Sequence, residues 1–337
     1  MRLECPKCKK IYNVPDERLP QGKKFSLTCV ACKGSIEVDL RNPPTANTSQ
    51  TTPVTNSKPT GDALKKEIMK SVTDLPSMPQ TVHKVREILS NADSSFEELA
   101  QVLETDQAIA TRVLKMANSP FYGLRGKVSS IQHASVVLGQ KTLGELITMV
   151  GTSELLDGML HGYKLDAGDL WIHSLAVAHG SRLIAHKKNP ALADDAFASG
   201  LIHDSGKLIL DKYIFERQDA FGKYMANGKN NFLAAEQEIL GFDHAEIASE
   251  VCKTWQVPEK LAFAIRFHHD PSSSQEDELV YSVHVADALA MMTGLGTGMD
   301  GMSYQMDEKA TELLGLQGED IVQIMGEMSD FIDTIST

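Results

Sequence analysis

The chain has 337 residues, 42% of them apolar, which is core material for about two domains of ordinary size. No apolar run approaches the roughly 18 residues that cross a bilayer, and the opening MRLECPKCKK lacks the apolar centre of a secretory leader, so a cytoplasmic location is expected. A formal charge of −12 argues against general binding to nucleic acid or anionic membranes, because both attract basic faces.

Residues 1–41 depart from that balance. Nine Lys/Arg stand against five Asp/Glu there, formally +4, which leaves −16 for the rest of the chain. Four of the five cysteines also fall in this segment, as Cys5-Pro-Lys-Cys8 and Cys29-Val-Ala-Cys32. Each C-x-x-C turn can aim both sulfurs at one ion, and two such turns complete a tetrahedral shell, so Cys5, Cys8, Cys29 and Cys32 are expected to hold Zn²⁺. About 40 residues bury too little core to fold unaided, and the metal would supply the folding free energy. Short strands are predicted at residues 11–14, 24–27 and 35–39, with turns at Gly22 and Gly34. A redox dithiol would need a βαβ context that the segment lacks. Lys7, Lys9, Lys10, Lys23 and Lys24 could touch phosphates, but four thiolates on zinc lower the segment to about +2, and nucleic acid is not the expected partner. With Tyr12-Asn-Val-Pro15 after the first knuckle, the segment is similar to the short zinc ribbons at the N-termini of many bacterial proteins.

Residues 42–61 hold four prolines, many Thr, Ser and Asn, and Lys58 as the one charged side chain, the composition of a flexible linker. From residue 62 the hydrophobic period becomes helical. Ser95-Phe-Glu-Glu98 reads as a capping box, and a second helix starts at Thr105-Asp106 and stops at Asn118-Ser-Pro120. Further amphipathic helices are predicted at 80–90, 130–138, 143–156, 170–186, 232–241, 245–255 and 258–268, and an acidic, partly apolar tail from Met306 reads as terminal helices. With no alternating strands in this region, the body is expected to be all-α, and the lone Cys252 to be an inert core thiol.

One decamer is out of keeping with a plain core. LIHDSGKLIL, residues 201–210, places His203, Asp204 and Lys207 in apolar surroundings, where charge must be paired or bound to a metal. The strings LPSMPQTV (75–82), residues 106–123 with NSPFYG, and SIQHASVVLG (130–139) resemble the first half of the HDOD domain, a bacterial signalling module related to the HD phosphohydrolases. LWIHSLAVA (170–178), SGLIHDSGKLIL (199–210), residues 240–269 and VHVADALA (283–290) resemble its second half. The resemblance spans roughly residues 70–295. It divides the body into an N-terminal helical half, 62–160, an HD-like half, 161–300, and a tail, 301–337.

The resemblance implies a site. His173, His203, Asp204 and Asp287 match the positions that hold one metal in HD enzymes, and His244, His268 and His269, with Asp169, match the ligands added in dinuclear members. Asp169 and His173 share a helix face at i, i+4. Lys207 matches a lysine that contacts phosphate oxygens, although it could instead reach solvent, and Asp204 could instead be a buried helix cap. Mn²⁺ or Fe would be the pocket metal, as Lewis acid and activator of water. His83, His133, His161, His179 and His186 have no assigned partner, and His284 has no role in the family pattern.

HDOD domains act mostly as regulators through contacts with signalling proteins or a small-molecule or nucleotide ligand, so the resemblance implies a signalling function with the ribbon as accessory contact module. A metal-dependent phosphohydrolase is the alternative. The cyclic-di-GMP phosphodiesterase signature, Asp-Gly-x-Gly-Tyr-Pro after paired histidines, is absent, since His268-His269-Asp270 runs into Pro271 and three serines.

Overall fold

The computed structural model describes residues 2–4, 6, 11–13, 24–29 and 32–39 of the N-terminal segment. In the remainder it describes 58–72, 84–85, 87–88, 98, 102, 107–124, 126–226, 231–255, 257–296, 298 and 306–336. The chain divides into two compact units, Met1–Lys58 and Pro59–Thr337.

In the first unit β1 (Arg2–Glu4) pairs antiparallel with β2 (Ile11–Asn13), and β3 (Lys24–Thr28) with β4 (Ser35–Asp39). Strand β1 was not legible in advance, because three residues are too few to show a period. Between β3 and β4 the chain turns tightly: the Cys29 N–H donates to Gly34 O at 2.7 Å and the Lys33 N–H to Cys29 O at 2.8 Å. Cys29 is buried and Cys32 half-buried in that turn. Cys5 and Cys8 lie outside the described residues, as do residues 42–57 of the expected linker.

The second unit is helical. Its N-terminal part contains α1 (Gly61–Val72), α2 (Gln107–Ala117), α3 (Ile131–Leu138) and α4 (Gln140–Leu156). The Ser130 hydroxyl caps α3 by accepting the His133 N–H at 3.1 Å. Helix α2 ends where expected, at Asn118, whose amide donates to Leu114 O and Val128 O, each at 2.8 Å, and whose Oδ1 accepts the Val128 N–H. Of the capping box at 95–98 only Glu98 is among the described residues, and of the predicted helix at 80–90 residues 84–85 and 87–88 are described, all helical.

Next come α5 (Asp169–Lys188), α6 (Ala193–Ile202), α7 (Ser205–Phe215), α8 (Gln218–Met225), α9 (Phe232–Leu240), α10 (His244–Thr254), α11 (Glu259–Phe267) and α12 (Glu278–Thr293), with α13 (Ala310–Leu314) and α14 (Gly318–Ser336) after them. Helix α5 is the hub, packing on α6, α12 and α14. Every residue from Leu279 to Met291 of α12 is buried, as suits a helix that is apolar nearly all round. Cys252 is buried in α10, as expected of a core thiol. Among the described residues no helix is long and apolar enough to cross a membrane.

The decamer 201–210 is two helices, not one: α6 stops at Ile202 and α7 starts at Ser205. Gly206 shows what holds α7 in place. A Cβ there would lie 2.0 Å from the backbone oxygen of His244, so only glycine lets α7 approach the start of α10 this closely.

His179 of α5 stacks on Phe331 of α14, with ring centroids 4.3 Å apart, and meets Phe121 edge-on. Burial, with help from the Arg182 charge, pushes its pKa down from 6.5 to about 4. The unfolded chain therefore binds this proton first. Its contribution is complete above pH 6.5 and is lost progressively as pH falls toward 4, by up to about 3 kcal/mol. Urea denaturation at pH 7 and pH 5 should find that His179→Phe loses about 2 kcal/mol less than the parent over that interval. Equal losses would rule out a neutral buried ring.

Candidate metal centre

Helix ends supply most of the site. His203 is the C-cap of α6, and its Nδ1 lies 2.7 Å from Gly200 O. A carbonyl only accepts, so Nδ1 carries the proton and satisfies an end-of-helix oxygen. His268 repeats the device at the end of α11, donating from Nδ1 to Ile265 O at 2.7 Å. In both rings the remaining nitrogen, Nε2, is buried without a hydrogen-bond partner. His244 opens α10 behind Asp243, whose Oδ1 accepts the Glu246 N–H at 2.7 Å as an N-cap. Both the Nδ1 and the backbone N–H of His244 reach Glu236 Oε2, at 2.7 and 3.0 Å.

His173 comes instead from the second turn of α5 and Asp287 from the middle of α12. His173 Nε2 is 3.0 Å from Asp287 Oδ1, and its Nδ1 is 3.2 Å from Leu295 O. The next residue, Gly296, has φ +63°, and a Cβ on it would lie 2.1 Å from Asp169 O and 2.9 Å from His173 Cβ. Glycine there lets the segment after α12 lie against the start of α5 and bring the Leu295 carbonyl to the ring.

Asp204 stands at the centre. Its Oδ2 is 2.7 Å from Lys207 Nζ, 3.4 Å from His203 Nε2 and 3.6 Å from His173 Nε2. Its Oδ1 is 3.2 Å from His244 Nε2 and 3.9 Å from His268 Nε2. The two oxygens thus face two different groups of imidazoles. Asp204 holds the N-cap position of α7 but makes no capping hydrogen bond, so its carboxylate is turned to the histidines instead. Lys207 does not reach solvent: it is 2% exposed and lies against that carboxylate. His269 Nε2 is 2.9 Å from His244 Nε2, and its Nδ1 is 3.7 Å from Asp287 Oδ2.

Ligand-type atoms converge in three overlapping groups: Asp204, His244, His268 and His269; His173, His203 and Asp204; and His203, His268 and Asp287, each within 4.8 Å. Asp169 is in none of these groups, unlike the seven other expected ligands. Its Oδ2 accepts the Asp166 N–H at 2.8 Å. Helix spacing does put it on the His173 face, but a carboxylate in a first turn finds a nearer partner in the backbone of its own loop.

The charges hold one another in place. Burial opposes ionisation of Asp204, but His203 and Lys207 keep its carboxyl well below the usual carboxylate range. Asp287 is likewise held low against its burial by the hydrogen bond from His173, whose own pKa is raised, against burial, by Asp287. Burial would lower His244 too, yet Glu236 and Asp204 pull it up to about 10. His268 is pushed down to about 3 by burial and by neighbouring His203, and His269 is lowered by burial and by His268. His268 is therefore neutral, and its unpartnered Nε2 is a lone pair aimed at carboxylates, an arrangement a cation would resolve.

Three contributors were missed in the sequence. Glu236 is fully buried and also accepts from the Tyr163 hydroxyl at 2.5 Å. Its signal was present: on α9 it shares the buried face with Phe232, Ala235 and Leu240, and a carboxylate on an apolar face needs a partner. Tyr163 carried no comparable signal. His284 donates from Nδ1 to His268 O at 2.7 Å and accepts the Asp307 N–H on Nε2 at 2.8 Å, so it fixes the backbone that carries the paired histidines.

The family model of the HDOD domain matches residues 75–271, and a zinc-ribbon domain model matches residues 1–37. An uncharacterised protein of Treponema pallidum (strain Nichols) is 23% identical over 215 residues, 64% of this chain, and the chain spans 41% of that relative's length. An HDOD domain protein of unknown function from Geobacter sulfurreducens is 26% identical, with a TM-score of 0.67 over 81% of this chain and 95% of its own. A Shewanella amazonensis SB2B protein, named provisionally as a phosphohydrolase, is 22% identical with a TM-score of 0.62 over 80% of this chain and 97% of its own, a likeness of fold alone.

Proposed function

The chain belongs to the HDOD family, and on that premise we propose that it is a cytoplasmic regulatory protein of bacterial signal transduction, built on a buried metal centre and acting by binding a signalling protein or a small ligand. One observation carries the metal: His203 Nε2 and His268 Nε2 are buried with no hydrogen-bond partner, beside the carboxylate of Asp204. Each such orphan costs about 1–3 kcal/mol, and a cation bound at each nitrogen would remove that cost. His173, His203, Asp204 and Asp287 would hold one ion, and His244, His268 and His269 would join Asp204 around a second. An imidazole and carboxylate set of this kind suits Mn²⁺ or Fe. A bound cation would supply Lewis acidity toward water or a phosphate oxygen. The chain's own groups orient the ligands: the carbonyls of Gly200, Ile265 and Leu295 and the carboxylate of Glu236 each fix one ring through Nδ1, and Lys207 offsets the charge of Asp204.

A regulatory role is favoured over turnover by burial. His173, His203, Asp204, His244, His268 and Asp287 are each 0–2% exposed, and Lys207 is engaged with Asp204 rather than turned to a substrate. The seven converging ligand-type residues with Lys207 beside them support the second reading, a metal-dependent phosphohydrolase. Zinc on Cys5, Cys8, Cys29 and Cys32 would make the ribbon a separate contact module.

Metal analysis of the full chain, purified anaerobically with Mn²⁺ and Fe²⁺ present, is expected to find metal beyond one ribbon zinc, and that excess is expected to vanish in Asp204→Ala. One zinc and nothing more in the parent would end the metal reading. Hydrolysis of phosphodiesters by the loaded parent and not by Asp204→Ala would establish the second reading.

A further inference from the structure

We propose that a second pocket, separate from the metal centre, binds a nucleoside monophosphate. The pocket has a volume of about 350 Å³ and lies among α2, α4, α5 and the end of α14. That is the low end of small-molecule sites, room for one mononucleotide rather than a dinucleotide. Arg112 and Lys115 of α2, spaced i, i+3, put two cations on one wall, and no lining residue is acidic although the chain outside residues 1–41 carries −16. Trp171 of α5 offers a half-buried ring, with Val150 and Ile335 as apolar walls. Cations, an aromatic face and apolar walls together select an anion carrying a flat ring.

The pocket is built firmly. The three hydrogen bonds of the Asn118 side chain pin the NSPFYG segment, which supplies its edge. Ser119 Oγ, of another lining residue, is a buried atom without a hydrogen-bond partner. Phe121 packs on Phe331 at 4.7 Å between ring centroids, tying this segment to α14. Trp171 and His173 are two residues apart on α5, about 200° around the helix, so pocket and metal centre lie on opposite sides of one helix.

Isothermal titration calorimetry of the full chain with AMP, GMP and inorganic phosphate tests this. Saturable binding of AMP or GMP is expected, weakened about tenfold or more by Lys115→Gln and by Trp171→Leu and unchanged by Asp204→Asn. Lys115 is exposed, so its substitution leaves the fold intact, which circular dichroism verifies. No saturable binding, or binding that survives both pocket substitutions, would overturn the proposal. Binding lost in Asp204→Asn alone, with its fold retained by circular dichroism, would place the nucleotide at the metal centre and overturn it equally. Phosphate binding as tightly as AMP would overturn the role of the ring.

Discussion

Asp204→Ala is expected to lower the stability of the metal-free chain by about 3–5 kcal/mol at neutral pH. The cause is the partner left behind. Lys207, 2% exposed, has its ammonium 2.7 Å from Asp204 Oδ2, and His244 Nε2 is 3.2 Å from Oδ1. Alanine removes the buried carboxylate that both face. Because the Asp204 carboxyl is held well below the ordinary value, its contribution is present throughout the neutral range and is lost only in acid, as pH falls below about 4 toward the lowered value. The pair Asp204→Leu with Lys207→Met should recover most of the loss, since apolar groups of similar size can replace a buried ion pair with little cost. Metal binding should stay absent in single and double variant alike. Denaturant titration checks both: a single variant within about 1 kcal/mol of the parent would show that Lys207 does not depend on Asp204, and an uncorrected double variant would place the loss elsewhere.

The residues that converge were legible as candidate ligands because their types carry the chemistry. His173, the pair His203 and Asp204, His244, the pair His268 and His269, and Asp287 stand in family order along the chain, and the fold brings all seven together. What the chain order could not show is how they arrive. Nothing between Ile202 and Ser205 is Gly or Pro, so the break that makes His203 a C-cap was hidden; it is a tertiary effect, of α7 lying against the His244 backbone through Gly206. Helix α5 showed at 170–186, but α12 was hidden for the opposite reason, since it is buried on nearly every side and shows no polar stripe. Asp169 had the right spacing and the wrong partner, because local hydrogen bonding to Asp166 competes with a site one turn away. Glu236 lay outside the strings that carry the family resemblance, and only its place on an apolar face betrays it.

Glu236 is expected to govern the second group of ligands without touching a metal. Its carboxylate accepts from His244 Nδ1 at 2.7 Å, from the His244 N–H at 3.0 Å and from the Tyr163 hydroxyl at 2.5 Å, all out of solvent. Glu236→Ala therefore removes the shared acceptor of three buried donors and the anchor of the His244 Nδ1, a loss of about 3–5 kcal/mol in the metal-free chain. Metal affinity should fall about 10–100-fold, the cost of removing a group that orients a ligand. Glu236→Gln separates the two effects. The amide keeps an acceptor and the shape, so most of the stability should return, but it no longer supplies the negative charge that raises the basicity of His244, and affinity should remain about tenfold down. Competition with a chelator of known affinity measures the second quantity and denaturant titration the first. If Glu236→Gln matched the parent in metal affinity, the charge on Glu236 would have no part in the centre, and if Glu236→Ala matched it as well, His244 would not be a ligand.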